Sequence, residues 1–75
     1  MEVKIGVQRT PREIVLESTQ SPDEVEAAVR DALKDPSGVL ALVDEKGRRV
    51  VVPSALIAYV EIADADHRRV GFAVN

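Results

Sequence analysis

The chain has 75 residues, which is enough for one domain, and we expect residues 1–75 to fold as that single domain. It has no cysteine and one histidine, His67, so a disulfide framework and a cysteine-based zinc site are excluded, and we expect no metal and no cofactor. The net charge of −3 disfavours a dedicated nucleic-acid binder, which usually has an excess of positive charge. The sequence has no long apolar run and no signal-peptide pattern, so we expect a cytoplasmic protein without a membrane span.

The first 17 residues have the pattern of an antiparallel hairpin. Val3, Ile5 and Val7 alternate with polar or small residues, which predicts a half-buried strand. A polar turn that contains Pro11 follows, and residues 13–17 again alternate between apolar and polar. Two short strands joined by about four turn residues are typical of a hairpin.

The helix signal is the clearest in the chain. Ser21 is a good N-cap, Pro22 suits the first helical position, and Glu24 completes a capping box. The turn residues 35–38 end the helix. Apolar residues at helical spacing form one face, namely Val25, Ala28, Val29, Ala32 and Leu33. This pattern predicts an amphipathic helix that packs one narrow stripe against a sheet.

A second hairpin is predicted after the helix. Residues 39–43 form a continuous apolar run of strand length, and residues 44–47 form a turn whose last residue is glycine. Residues 50–52 are three consecutive valines, which favour a strand.

The last third of the chain holds one strand and one ambiguous segment. Residues 55–62 are mostly apolar and rich in β-branched side chains, so they favour a strand, with a short helical turn at residues 53–56 as an open alternative. Residues 63–75 are interpreted as either a mobile tail or an extra edge strand.

The element order predicts an α+β fold. It is ββαβββ, which we expect to form a mixed sheet with one amphipathic helix on one face. The layout is similar to the β-grasp arrangement of ubiquitin-like domains, in which the first strand is central and pairs in parallel with the last. This likeness concerns layout alone and does not define a function.

The uncovered side of the sheet is the first candidate surface. One helix covers one face, yet the predicted strands carry apolar residues at both parities. An exposed apolar face marks an interface, so we predict a homodimer contact or a protein partner there. The alternative is that residues 70–74 fold over this face. The predicted interface residues are Val15, Val51, Ile57 and Tyr59.

Two arginine pairs form the second candidate surface. Arg48 and Arg49 lie in the second hairpin, and Arg68 and Arg69 lie near the C-terminus. Arginine forks match phosphate, so these residues are candidates for binding RNA or a nucleotide such as ATP. The alternative is that they are solvated turns. His67, with Asp64 and Asp66 beside it, is interpreted as a solvated loop because the adjacent arginines would repel a cation.

No catalytic motif is found, and we therefore predict that the protein is not an enzyme. The four glycines are scattered, so there is no phosphate-binding glycine loop. None of the serines lies in a nucleophile motif.

Several segments resemble a family of very small actinobacterial proteins known as domain of unknown function 3107. The resemblance implies a cytoplasmic actinobacterial protein, and some members bear an ATP-binding label, for which the family motif offers no residues. The similar segments cover nearly the whole chain: residues 1–8, 22–29, 44–49, 52–53, 57–62 and 68–72.

The functional prediction is an interaction module that self-associates or binds a protein partner through the open sheet face. The alternative prediction is a binder of a phosphate-containing ligand through the arginine-bearing turns.

Overall fold

Six strands and one α-helix make up the computed structural model, which describes residues 1–63 and 69–73. A 3-10 turn at Ser54–Leu56 precedes the fifth strand, and the sixth strand is the extra edge strand that is one of the two alternatives for residues 63–75. The α+β class is confirmed, and the sixth strand extends the expected ββαβββ order to ββαββββ. The elements are β1 (Glu2–Val7), β2 (Glu13–Glu17), α1 (Pro22–Leu33), β3 (Val39–Val43), β4 (Arg49–Pro53), β5 (Ile57–Ala63) and β6 (Arg69–Ala73).

The strands form two antiparallel sheets. Four strands lie in the order β2-β1-β5-β6, and β3 and β4 form a separate two-stranded ribbon. β1 is central, as expected, but both of its neighbours run antiparallel to it, so the expected mixed sheet with a parallel pair is wrong. Side chains alternate in the same way in parallel and antiparallel strands, so the apolar pattern does not encode strand direction.

The helix begins as its sequence predicts. Ser21 Oγ accepts a hydrogen bond from the Glu24 N–H at 3.2 Å, and Glu24 Oε1 accepts one from the Ser21 N–H at 3.1 Å. Val25 and Val29 are fully buried on the inner face of the helix. The capping box therefore sets the start of α1, and the spacing of the apolar residues sets the face that the helix turns to the core.

The helix and the ribbon share one core with the four-stranded sheet. The helix packs on β3 and β5, and the inner face of the ribbon closes the remaining space. The core is aliphatic, as the scarcity of aromatic residues requires. Its buried members are Val3, Ile5, Leu16, Val25, Val29, Ala32, Leu40, Leu42, Val52, Ile57, Val60 and Ile62.

A β-bulge sets the orientation of the start of β5. Gly6 pairs with Tyr59 while Val7 pairs with Ile57, so Ala58 is an extra residue in the ladder. The bulge reverses the parity of the strand and turns Ile57 into the core, where it is 0 % exposed. The expectation that Ile57 lies on the uncovered face is therefore wrong.

Gly6 gives the Tyr59 ring its place on the sheet. The ring lies over the Gly6 backbone, and a Cβ at position 6 would overlap the ring carbons. An aromatic side chain that covers a strand glycine protects the backbone there and replaces the missing side chain. The Tyr59 ring can therefore take this position because residue 6 is a glycine.

We expect Gly6→Ala to lower the free energy of unfolding by about 1–3 kcal/mol, because the new methyl group must displace the Tyr59 ring. Gly71→Ala is the matched control, since Gly71 lies on the same face and a Cβ there would meet nothing within 4 Å. Urea unfolding measures both variants. Gly6→Ala should cost much less in a Tyr59→Ala background; an equal cost in both backgrounds would contradict the account.

Candidate functional site

The outer face of the β3–β4 ribbon is apolar and exposed. Val39 is 54 % exposed, Val43 52 % and Val51 60 %, while Leu40, Leu42 and Val52 face the core. We use the name ribbon face for the outward residues Val39, Ala41, Val43, Val51 and Pro53. Arg49 is the one charged residue on the same side of the ribbon, opposite Val43.

The uncovered face of the four-stranded sheet is charged. Val15 is 43 % exposed and lies among ionic neighbours, and Lys4 Nζ forms an ion pair with Glu2 Oε1 at 3.8 Å. The expected apolar surface is therefore not on this sheet. The strand register places these charged residues on the face: Glu2, Lys4, Glu13, Glu17 and Glu61.

Tyr59 is held in place on that charged face. Its hydroxyl donates a hydrogen bond to the Glu13 carboxylate on the far side of Gly6, and the residue is half-buried. This hydrogen bond, followed by burial and the negative charges of Glu13 and Glu61, raises the pKa of Tyr59 above its usual value. The side chain is thus already engaged within the domain, and Val51 is the predicted interface residue that belongs to the ribbon face.

The turn between β3 and β4 is bonded to the outer edge of β2. Asp44 Oδ2 accepts from the Glu17 N–H at 3.1 Å, and the Glu45 N–H donates to the Glu17 carbonyl at 2.7 Å. Arg48 Nη2 donates to the Val15 carbonyl at 2.7 Å. We call residues 44–48 the edge turn, because it satisfies backbone groups that an edge strand otherwise presents to solvent.

Asp44 is the centre of the edge turn. Its carboxylate also accepts from the Lys46 N–H at 2.9 Å and forms an ion pair with Arg48 at 3.8 Å. The backbone hydrogen bonds from Lys46 and Glu17, with a smaller contribution from the nearby positive charges, lower the pKa of Asp44 from its usual value. The charged form of Asp44 is therefore favoured in the folded state.

Two of the four arginines belong to opposite edges of the sheet. Arg48 contacts β2 at one edge, whereas the backbone of Arg69, in β6 at the other edge, pairs with Ala63 of β5. Three strand spacings, about 14 Å, lie between β2 and β6. Arg49 is exposed on the ribbon, and Arg68, like Asp64, Asp66 and His67, lies outside the described residues. A joint phosphate site stays a prediction.

A cleft of about 360 Å³ adjoins the edge turn. Three carboxylates and two cationic groups line it, from Glu17, Asp44, Glu45, Lys46 and Arg48. The Arg48 guanidinium in this cleft is bonded to a carbonyl and paired with Asp44. The negative balance of the lining disfavours a phosphate there.

Three of the four described serines form local hydrogen bonds through their side chains. Ser18 and Ser37 form short-range hydrogen bonds, Ser21 caps the helix, and the Ser54 hydroxyl is buried without a partner. Within residues 1–63 and 69–73 no cluster of three or more metal-ligating side chains is found. No helix in this part of the chain is long and apolar enough to cross a bilayer.

Two features of the site were not predicted from the sequence. The first is the outward apolar face of β3, although residues 39–43 are apolar at both parities and could have indicated such a face. The contact of Asp44 with Glu17 had no such signal, because it joins residues 27 positions apart.

Comparison with known proteins gives one family. A family model described as "Protein of unknown function (DUF3107)" matches residues 1–73. No curated protein matches the chain. The match takes in all the strands and the helix described above, and the description of the family assigns no role to any of them.

We expect Asp44→Asn to lower the free energy of unfolding at pH 7 and to flatten its pH dependence in the acid range. The folded-state pKa of Asp44 is depressed, so its contribution is present above the unfolded-state pKa and is lost as the pH falls through the folded-state pKa. Urea unfolding between about pH 6 and pH 2 measures this effect.

Glu45→Gln is the matched control, since it removes the same charge from the neighbouring position. Its side chain forms none of the hydrogen bonds or ion pairs described for the edge turn. If both variants change the pH profile equally, Asp44 has no special role in holding the turn.

Proposed function

The chain belongs to the family described as "Protein of unknown function (DUF3107)", and from this premise we propose that it is a non-catalytic interaction module that self-associates through the β3–β4 ribbon. The observation that supports the proposal is the exposed apolar ribbon face. Three of its valines are each more than half exposed, although a chain of this length has a small core and exposing three valines costs it apolar burial.

The position of the ribbon favours it over the other surfaces as a contact. Its inner residues Leu40, Leu42 and Val52 are anchored in the core, so the outer residues are presented on a backbone that is already ordered. Association therefore needs little additional ordering of the chain. The uncovered face of the main sheet, by contrast, would bring many carboxylates into an interface.

A second copy of the chain suits the ribbon face on charge grounds. The protein has a net charge of −3, but the ribbon face itself is uncharged, with Arg49 at one end. Two copies can therefore approach here without placing acidic groups against each other. A contact between identical patches is also the commonest way in which soluble proteins associate.

The phosphate-binding alternative has weaker support. Arg48 is committed to the Val15 carbonyl and to Asp44, and the adjoining cleft has an acidic lining. Arg49 points from the ribbon, and the backbone of Arg69 lies at the opposite sheet edge. A phosphate would have to displace Arg48 from its present partners.

We expect Val51→Glu to weaken self-association by at least about tenfold, because the contact would bring like-charged carboxylates of the two copies close together. The free energy of unfolding should change by less than about 0.5 kcal/mol, because Val51 is 60 % exposed. Sedimentation equilibrium from low micromolar to millimolar concentration measures the association.

Val15→Glu is the matched control, since it makes the same change at a valine that is 43 % exposed on the charged face. It should leave self-association unchanged. A wild-type chain that is monomeric throughout this range would overturn the proposal, as would equal effects of the two substitutions.

A further inference from the structure

The hydrogen bonds at the two ends of the ribbon define which backbone groups of β4 point outward. Ser54 N–H donates to the Gly38 carbonyl at 3.0 Å, and Asp44 N–H donates to the Arg48 carbonyl at 2.7 Å. In an antiparallel ladder, bonded and non-bonded pairs alternate. The backbone groups of Val50 and Val52 therefore point to β3, whereas those of Arg49, Val51 and Pro53 point away from it.

The outward edge of β4 is unpaired in the described part of the chain. β3 is its one strand neighbour there, and the helix packs on β3. Within residues 1–63 and 69–73, no partner bonds the outward N–H and C=O of Val51. The edge is short and carries Arg49 and Pro53, which limit strand pairing, but the N–H and C=O of Val51 are available to a further strand.

We propose that two copies of the chain join at β4, antiparallel and edge to edge, with the twofold axis at Val51. The result is a four-stranded sheet in the order β3-β4-β4-β3. This inference rests on the proposed self-association and places the contact at the β4 edge that adjoins the ribbon face; the ribbon faces of the two copies then lie side by side on one side of the joined sheet. Addition of a strand at an open sheet edge is a common mode of protein recognition.

The register follows from the donors that the edge offers. With Val51 opposite Val51 of the second copy, the two residues exchange a pair of N–H···O=C bonds. Arg49 then lies opposite Pro53 of the second copy, and its N–H donates to that carbonyl, once on each side of the axis. Pro53 has no N–H to return, so the contact has four backbone bonds.

Charge also favours this register. It sets the two Arg49 side chains four residues apart along the seam, about 13 Å, and places an uncharged Pro53 opposite each. An axis at Arg49 would put the two cations face to face, and an axis at Pro53 would put two residues without donors together. Of the three positions whose backbone groups point outward, Val51 avoids both conflicts.

The expected affinity is low. β4 has five residues, so the seam is about 17 Å long and buries less than the roughly 800 Å² per partner of a typical stable interface. We therefore expect a transient dimer whose dissociation constant lies in the micromolar to millimolar range.

Amide hydrogen exchange followed by NMR tests the pairing in the unaltered chain. Exchange at the Arg49 and Val51 N–H groups should slow as concentration rises, by about tenfold when nine in ten chains are paired. The Val50 and Val52 N–H groups are internal controls, because they are bonded to β3 in the monomer and should be protected at all concentrations.

Three substitutions separate the edge from the face. Val51→Pro removes the Val51 N–H of each copy, two of the four bonds of the contact, and should weaken the dimer by at least about tenfold, without loss of a bond to β3. Pro53→Ala adds one outward N–H in each copy and should strengthen the dimer by about three- to tenfold. Ala41→Glu places a charge on the ribbon face of β3 and should change the dissociation constant of the dimer by less than about twofold at 0.15 M salt.

The outcomes distinguish this inference from the proposed function. A dimer that forms without slower exchange at Arg49 and Val51, or one that Ala41→Glu abolishes and Pro53→Ala does not strengthen, would overturn edge pairing and leave self-association intact. A chain that stays monomeric at every concentration would overturn both. If Val51→Pro fails to fold, the exchange data and Pro53→Ala decide.

Discussion

The attachment of the edge turn to β2 is the constraint on which the arrangement of the layers depends. Asp44 and Glu45 satisfy the outward N–H and C=O of Glu17, and Arg48 satisfies the carbonyl of Val15. These bonds hold the end of the ribbon at one edge of the main sheet, while Leu40 and Leu42 enter the shared core. A two-stranded ribbon is marginally stable by itself, so its position depends on this attachment and on its packing.

The same attachment decides which surfaces stay open. It protects the outer edge of β2 and turns the ribbon so that β3 meets the helix and β4 lies outermost. The apolar residues Val39, Val43 and Val51 are then left facing solvent. The proposed interaction surface is therefore a consequence of how one edge strand is covered and another is not.

The uncovered face of the four-stranded sheet is more polar than the ribbon face. In its described part, the uncovered face carries ionic side chains, Val15 and the Tyr59 ring, which lies over Gly6 and whose hydroxyl donates to Glu13. The Tyr59 side chain extends from β5 across β1 to β2. The more apolar ribbon face is for this reason the better candidate for a contact with another protein.

Local features of the chain were sufficient to predict the helix, the first five strands and the aliphatic core, but not whether the sixth strand forms. The Ser21–Glu24 capping box and the alternation in β1 act within a few residues, so they can be read without knowledge of the partner elements. Four facts depended on the tertiary structure: the antiparallel pairing of β1 with β5, the inward turn of Ile57, the Asp44–Glu17 contact and the outward face of β3. Each is decided by pairing between segments far apart in sequence, and the side-chain pattern is the same whichever pairing occurs.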